Sequence, residues 1–301
     1  MAWGFYISAY LFAAGAGAGA FLAALTAEIY SRDGFRPLIR SGTVISGPLV
    51  LLGMPFLILD LGIGQREPWR LFYLFFGNGG SIMAWGAWVI TLFSGVAILC
   101  AIADLDLPFP LLNWLHRQLA PHRRPMMVLG GLLAFATAIY TGLLLGVVNG
   151  VPLWNTAVLP ALFFVSALST GLAAAVVFAV VFPIEERRLL SIHFFYLNQV
   201  HALMIVVEMI FIFCWLFISA NASTTAATSV GQLMGGHLAW LFWLGVIFFG
   251  IVDPLLIYIW EVVLGRPLVG AAMVFSDSSV LVGGVVLRYL VLAAATPIAL
   301  L

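Results

Sequence analysis

Lysine is absent from this 301-residue chain, and all twelve cationic side chains are arginine. Charged residues of both signs make up only 8%, the formal net charge is zero, and no run of like charge occurs. Gripping a phosphate backbone needs clustered cations, so nucleic acid is excluded as a partner. The two cysteines, Cys100 and Cys214, lie deep in apolar runs with no second thiol at ligand spacing, so they read as core packing and leave nothing to hold a metal or an iron–sulfur cluster. Histidine is scarce too. His116 and His122 fall in a loop and His193 at a helix edge, whereas His201 and His237 differ in depth by roughly 20 Å at 1.5 Å per residue. Haem needs two imidazoles at matching depth on facing helices, so none is expected on this chain.

What is abundant is apolar surface. Hydrophobic residues make up 64% of the chain, against roughly 45–50% in a soluble domain. The runs are continuous rather than alternating, which excludes a barrel and leaves helices as the only way to satisfy the backbone in lipid. At about 20 apolar residues per crossing, the expectation is an all-α integral membrane protein with about eight transmembrane helices in a bundle. The predicted spans are 3–30, 41–62, 81–104, 125–148, 157–183, 194–219, 236–262 and 278–301, in a single transmembrane domain over residues 1–301. The first run lacks a basic leader and a clear cleavage site and reads as a retained helix. Its Gly15, Gly17 and Gly19 read as a seat for close helix packing, because a phosphate loop would need a preceding strand.

Arginine sets the orientation, since cytoplasmic loops carry the excess of positive charge. The loops after helices one, three, five and seven hold Arg32, Arg36, Arg40, Arg117, Arg123, Arg124, Arg187, Arg188 and Arg266, and the opposite loops hold only Arg66 and Arg70. Both termini are therefore expected on the periplasmic side. The remaining arginine, Arg288, falls inside the last helix.

Ionisable groups within lipid are costly and point to function, with a structural ion pair as the plain alternative. They are Asp60, Glu208, Asp253 and Arg288, with His201 nearby. Counting from the inner surface, Glu261 lies at the edge, His201 and Asp253 at roughly 8–9 Å, Arg288 near 12 Å and Glu208 near 18 Å. This ladder reads either as a proton route or as a lock between helices six, seven and eight. Arg288 and Asp253, close in depth, are expected to pair. A proton-coupled secondary transporter with a midplane Glu208/Asp253/Arg288 site is a rival reading, and a passive membrane anchor another. The outer loop from Gly64 to Arg70 reads as a solvated turn or as a docking surface.

Several strings along the sequence are characteristic together. They are Leu59-Asp60-Leu61, the loop from Arg66 to Arg70, Ser81-Ile82-Met83-Ala84-Trp85-Gly86-Ala87-Trp88, Tyr140-Thr141-Gly142-Leu143-Leu144, Pro152-Leu153-Trp154-Asn155, Pro160 leading into Ser166-Ala167-Leu168-Ser169, and Gly283-Gly284-Val285-Val286-Leu287-Arg288-Tyr289. In this order and spacing the sequence resembles the NrfD/polysulfide reductase membrane-subunit family. The resemblance implies a haem-free subunit in the bacterial cytoplasmic membrane that binds menaquinone or ubiquinone and sits beneath a periplasmic iron–sulfur protein. A molybdopterin catalytic subunit or a multihaem cytochrome lies beyond that partner and carries the terminal substrate chemistry.

The family's quinone site uses a tyrosine on helix four, matched by Tyr140, roughly 10 Å below the outer surface. It also uses an asparagine and a histidine on helix one, where this sequence reads Tyr6-Ile7-Ser8-Ala9-Tyr10. Tyr10 is the expected replacement for that histidine. Tyr140 would donate to a quinone carbonyl and Asp60, at the outer end of helix two, would exchange the proton. His237, at the outer opening of helix seven, completes the candidate quinone-binding set. Arg66, Glu67, Trp69 and Arg70, with Trp154 and Asn155, form the expected docking surface for the partner.

Overall fold

An apolar run in lipid leaves each backbone group no partner but its own helix, so every long run closes into one. The computed structural model of the protein describes residues 4–60, 69, 71–76, 79–105, 109–182, 187–265 and 270–297, and for residues 71 and 187–196 the backbone alone. The helices are α1 (Phe5–Ser31), α2 (Arg36–Asp60), a short α3 (Leu71–Phe76), α4 (Ile82–Asp104), α5 (Pro110–Leu119), α6 (Arg123–Gly146), α7 (Val158–Val181), α8 (Arg187–Ala222), α9 (Thr224–Met234), α10 (Leu241–Leu264) and α11 (Ala271–Ala293). Eight of them are long and apolar enough to cross a membrane: α1, α2, α4, α6, α7, α8, α10 and α11, the α6 crossing being continuous with α5. The first half of α10, Leu241–Val252, winds as a π-helix and regains α geometry at Asp253. Pro254, whose missing N–H and ring disturb an α-helix, follows that change.

The long helices pack as two groups of four. The first joins α1, α2, α4 and α6, and the second α7, α8, α10 and α11, with α1 in contact with both α7 and α11. The seam between them depends on glycine. A β-carbon at Gly171 would lie 2.2 Å from the backbone of Gly19 and Ala20, so α1 and α7 touch main chain to main chain there. Small residues permit such approach, and in lipid it supplies dispersion contacts that larger side chains would prevent.

The ends of α1 and α4 and the start of α6, beside the described arginines Arg32 and Arg124, meet at one end of the bundle. There Arg123 of α6 is buried between Asp104 of α4 and Glu28 of α1. Its Nε pairs with Asp104 Oδ1 and its Nη1 with Glu28 Oε1, while Nη2 donates to Asp104 Oδ2 at 3.2 Å. Thr43 of α2 adds a hydrogen bond to the same Asp104 oxygen at 2.9 Å. One guanidinium ties three helices and Asp104 adds a fourth through Thr43, and so Arg123, a loop cation in the sequence reading, is an interior residue. At the opposite end the α6–α7 loop is pinned by two indoles. Trp154 Nε1 donates to Val291 O of α11 at 2.7 Å, and Trp215 Nε1 of α8 donates to Leu153 O at 3.1 Å.

Boundaries differ from expectation at several places, α2 starting at Arg36, α10 at Leu241 and α5 forming where loop was expected. α8 begins seven residues before the predicted 194, and α9 forms where the sequence indicated loop, capped by Ser223, whose hydroxyl accepts from Ala226 N. The last helix is Ala271–Ala293 rather than 278–301. Its first turns contain Ser276 and Asp277, which read as loop, yet both are buried, as is Ser279. Polar side chains enter a membrane helix where the bundle supplies a partner, and Tyr258 supplies one to Asp277 at 3.0 Å.

Candidate functional site

At the end away from the arginines, α1, α2, α3 and α4 enclose a cavity of about 420 Å3. Its walls are apolar, among them Met54, Leu57, Phe75 and Ile90, and the Tyr10 ring of α1 forms part of them. Tyr10 is 1% exposed, and Tyr140 of α6 is buried in the same core cluster. Tyr140 lies against α4 at Gly86, where a β-carbon would fall 1.8 Å from its Cζ and 2.3 Å from its hydroxyl. Asp60 ends α2, one turn beyond the lining residues Leu57 and Ile58. Tyr10, Tyr140 and Asp60 thus share this end of one four-helix group. His237 does not join them, because it is exposed between α9 and α10 in the other group.

A second arrangement runs through the interior of α7, α8, α10 and α11. At the arginine-rich end Asn198 Nδ2 donates to Glu261 Oε2 at 2.7 Å. One turn along α10, the Tyr258 hydroxyl donates to Asp277 Oδ1 at 3.0 Å and lies 2.9 Å from His201 Nδ1. His201 Nδ1 is itself 3.1 Å from Asp277 Oδ1. The other imidazole nitrogen, Nε2, is 3.3 Å from Ser169 Oγ. Glu208, seven residues beyond His201 on the same face of α8, has Ser166 and Ser169 beside its carboxylate and Arg288 and His201 within electrostatic reach. The series of polar groups ends at Arg288, whose Nη1 donates to Ser166 Oγ at 3.1 Å and to Gly284 O at 2.9 Å.

The expected pair of Arg288 with Asp253 does not form. Arg288 lies only five residues from the end of α11, about 8 Å by helical rise, because that helix starts earlier than predicted. Asp253 sits where α10 changes its winding, half-buried, with Oδ2 free of any partner. Glu208 is the carboxylate within electrostatic reach of Arg288, whose Nε and Nη2 make no hydrogen bond. The rest of its environment is aromatic, with the guanidinium carbon 5.6 Å from the Phe12 ring centre and 5.5 Å from that of Phe163, an arrangement that offsets part of the cost of burying a cation.

Of the expected docking residues, Arg66, Glu67 and Arg70 lie outside the described residues. Trp69 and Asn155 are exposed. Trp154 is 2% exposed and hydrogen-bonded inside the bundle, so it fastens a loop and offers no surface to a partner. Asp277, Tyr258, Ser166 and Ser169 were not singled out from the sequence as members of the polar series. Two signals pointed to them: Ser166 and Ser169 are three apart on one helix face, as are Tyr258 and Glu261. Among the described residues no group of three or more His, Cys, Asp or Glu side chains is arranged to hold a metal ion.

The protein is 29% identical over 266 residues to the C subunit of the polysulfide reductase of Wolinella succinogenes, covering 85% of its own length and 82% of that relative. It is 29% identical over 313 aligned positions to protein NrfD of Escherichia coli K12, covering 98% and 95%. A similar relation, 25% over 274 residues with 85% and 83% covered, holds with the NrfD homolog of Haemophilus influenzae. Residues 1–299 match the family described as "Polysulphide reductase, NrfD". With eight membrane-crossing helices and a match along almost its whole length, the protein belongs to the NrfD polysulphide reductase family of membrane anchors of respiratory complexes.

Proposed function

We propose that the protein binds a quinone at the end away from its arginines and exchanges electrons there with an extrinsic periplasmic iron–sulfur subunit. The observation that carries this reading is the cavity of about 420 Å3 whose largely apolar wall holds Tyr10, Thr91 and Ser94 as its polar side chains. That volume lies within the roughly 300–1,000 Å3 of small-molecule sites, and apolar walls with few polar groups are their usual make-up. A bound quinone supplies two-electron, two-proton redox chemistry. The protein's own part is to hold the head group with the Tyr10 and Tyr140 hydroxyls and to pass its protons through Asp60 to the periplasm. Family membership supports the partner, since one relative is by its name a component of a polysulfide reductase.

The interior series from Glu261 through Tyr258, Asp277, His201, Ser169 and Glu208 to Arg288 is suited to move protons from the cytoplasmic side. Both nitrogens of His201 are engaged, one by Tyr258 and Asp277 and the other by Ser169, so the ring can take a proton on one side and release it on the other. The carrier alternative needs Glu208, Asp253 and Arg288 to converge. The separation of Asp253 from Arg288 favours the relay.

Replacing Tyr140 with Phe removes the hydroxyl and keeps the ring. The assembled variant complex is expected to lose quinol turnover while retaining its subunits. Wild-type quinol kinetics in a fully assembled Tyr140→Phe complex would count against the site.

A further inference from the structure

Neither the cavity nor the polar series accounts for α5, which connects α4 to α6 at the arginine-rich end. It packs on α4, yet none of its ten residues is fully buried. Leu112, Leu115 and Leu119, half-buried, recur at the spacing of one helix face. Next to that face Phe109, Leu111 and Trp114 are 62%, 67% and 57% exposed. The helices that α5 joins also expose apolar side chains, Leu92 and Leu99 on α4, and Val128, Leu129 and Leu132 on α6. Those side chains belong to membrane-crossing helices, so their natural neighbour is lipid.

Charge on this segment has one sign. From residue 109 to 124 there are three arginines, two histidines and no acid. Arg123 turns inward to Asp104 and Glu28, but Arg117 and Arg124 are exposed, and no ion pair among the described residues includes either. Arg117, in the last turn of α5, suits the helix dipole. Arg124 sits in the first turn of α6, where the dipole disfavours a cation, so a dipole account leaves it unexplained.

We infer that α5 lies in the membrane interface, with Leu111 and Trp114 at the acyl boundary, and that Arg117 and Arg124 take the phosphate of an anionic phospholipid. Tryptophan prefers this boundary, a helix with an apolar face and cations lies along it, and the negative lipids of the cytoplasmic leaflet match the arginine-rich end. The occupant is the bilayer rather than a protein because α5 directly joins two membrane-crossing helices whose exposed side chains are apolar.

The test uses the full-length protein in phosphatidylcholine vesicles with or without phosphatidylglycerol. The difference in emission between the protein and its Trp114→Phe variant isolates the indole of Trp114. Quenching of that difference by acyl-chain bromines is expected; an unquenched difference would place Trp114 outside the bilayer, open to a protein, and overturn the proposal. Phosphatidylglycerol retained by the protein in native mass spectrometry should fall about fivefold for each arginine removed in Arg117→Gln and Arg124→Gln. Both side chains are exposed, so the fold survives their loss, and unchanged retention would refute headgroup recognition.

Discussion

The ring of Tyr140 rests directly on the α4 backbone at Gly86, where a β-carbon would fall 1.8 Å from the tyrosine Cζ. Glycine is therefore the residue that allows the hydroxyl its position. Gly86→Ala is expected to cost about 1–3 kcal/mol through overpacking and to lower quinol turnover by moving Tyr140. If Gly86 acts through that hydroxyl, adding Tyr140→Phe to Gly86→Ala produces no further loss. Additive losses in steady-state kinetics would show that Gly86 matters for another reason.

Arg123 is buried with two carboxylates, Asp104 and Glu28. Removing the cation alone leaves both acids uncompensated, so Arg123→Met should destabilise the protein by about 3–5 kcal/mol. Adding Glu28→Gln and Asp104→Asn should restore most of that loss, because a neutral set of similar volume avoids desolvating charge. Thermal unfolding in detergent compares the three proteins. Failure of the triple variant to recover would mean that the cluster holds the helices by more than charge balance.

The polar series distinguishes two aspartates of similar sequence context. Asp277 touches both Tyr258 and His201, whereas Asp253 has an oxygen without a partner and contacts none of them. Asp277→Asn should therefore abolish proton uptake from the cytoplasmic side during quinol turnover, and Asp253→Asn should leave it near wild type. Proton uptake by the reconstituted complex, followed with a dye outside inverted vesicles, reads both. Equal loss in the two variants would sink the proposed path.

Even with Arg123 turned inward, eight arginines in or beside one set of loops against two in the other predict that the end of α11 faces the periplasm. A reporter active only in the periplasm, fused after Leu301, should be active. A silent fusion at normal expression would reverse the orientation and the assignment of the two ends with it.

Much of the architecture was legible from local composition. An apolar run long enough to cross a bilayer has one backbone solution, so residues such as Ile82 to Asp104 form a helix almost to the predicted boundaries. The last helix shows the limit of that rule. Ser276 and Asp277 fell outside the predicted helix on polarity, and they are helical where Tyr258, nineteen residues away, meets the aspartate. Trp154 was misplaced for a related reason, since an indole in a polar loop looks like surface until a carbonyl 137 residues away accepts its N–H.

By itself the sequence determined the membrane class, the eight crossings and the family strings, all of which depend on composition and order of residues. Only the tertiary structure decided which of those residues meet. Depth counted at a fixed rise gave Arg288 and Asp253 as neighbours, but a seven-residue shift in the start of α11 moved Arg288 about 10 Å along the helix axis, and its rotation within the bundle turned it to Ser166 and Glu208. A one-residue step turns a helical side chain by about 100°. Contact between two helices therefore depends on both registers at once, and packing sets them jointly through close approaches such as Gly19 against Gly171.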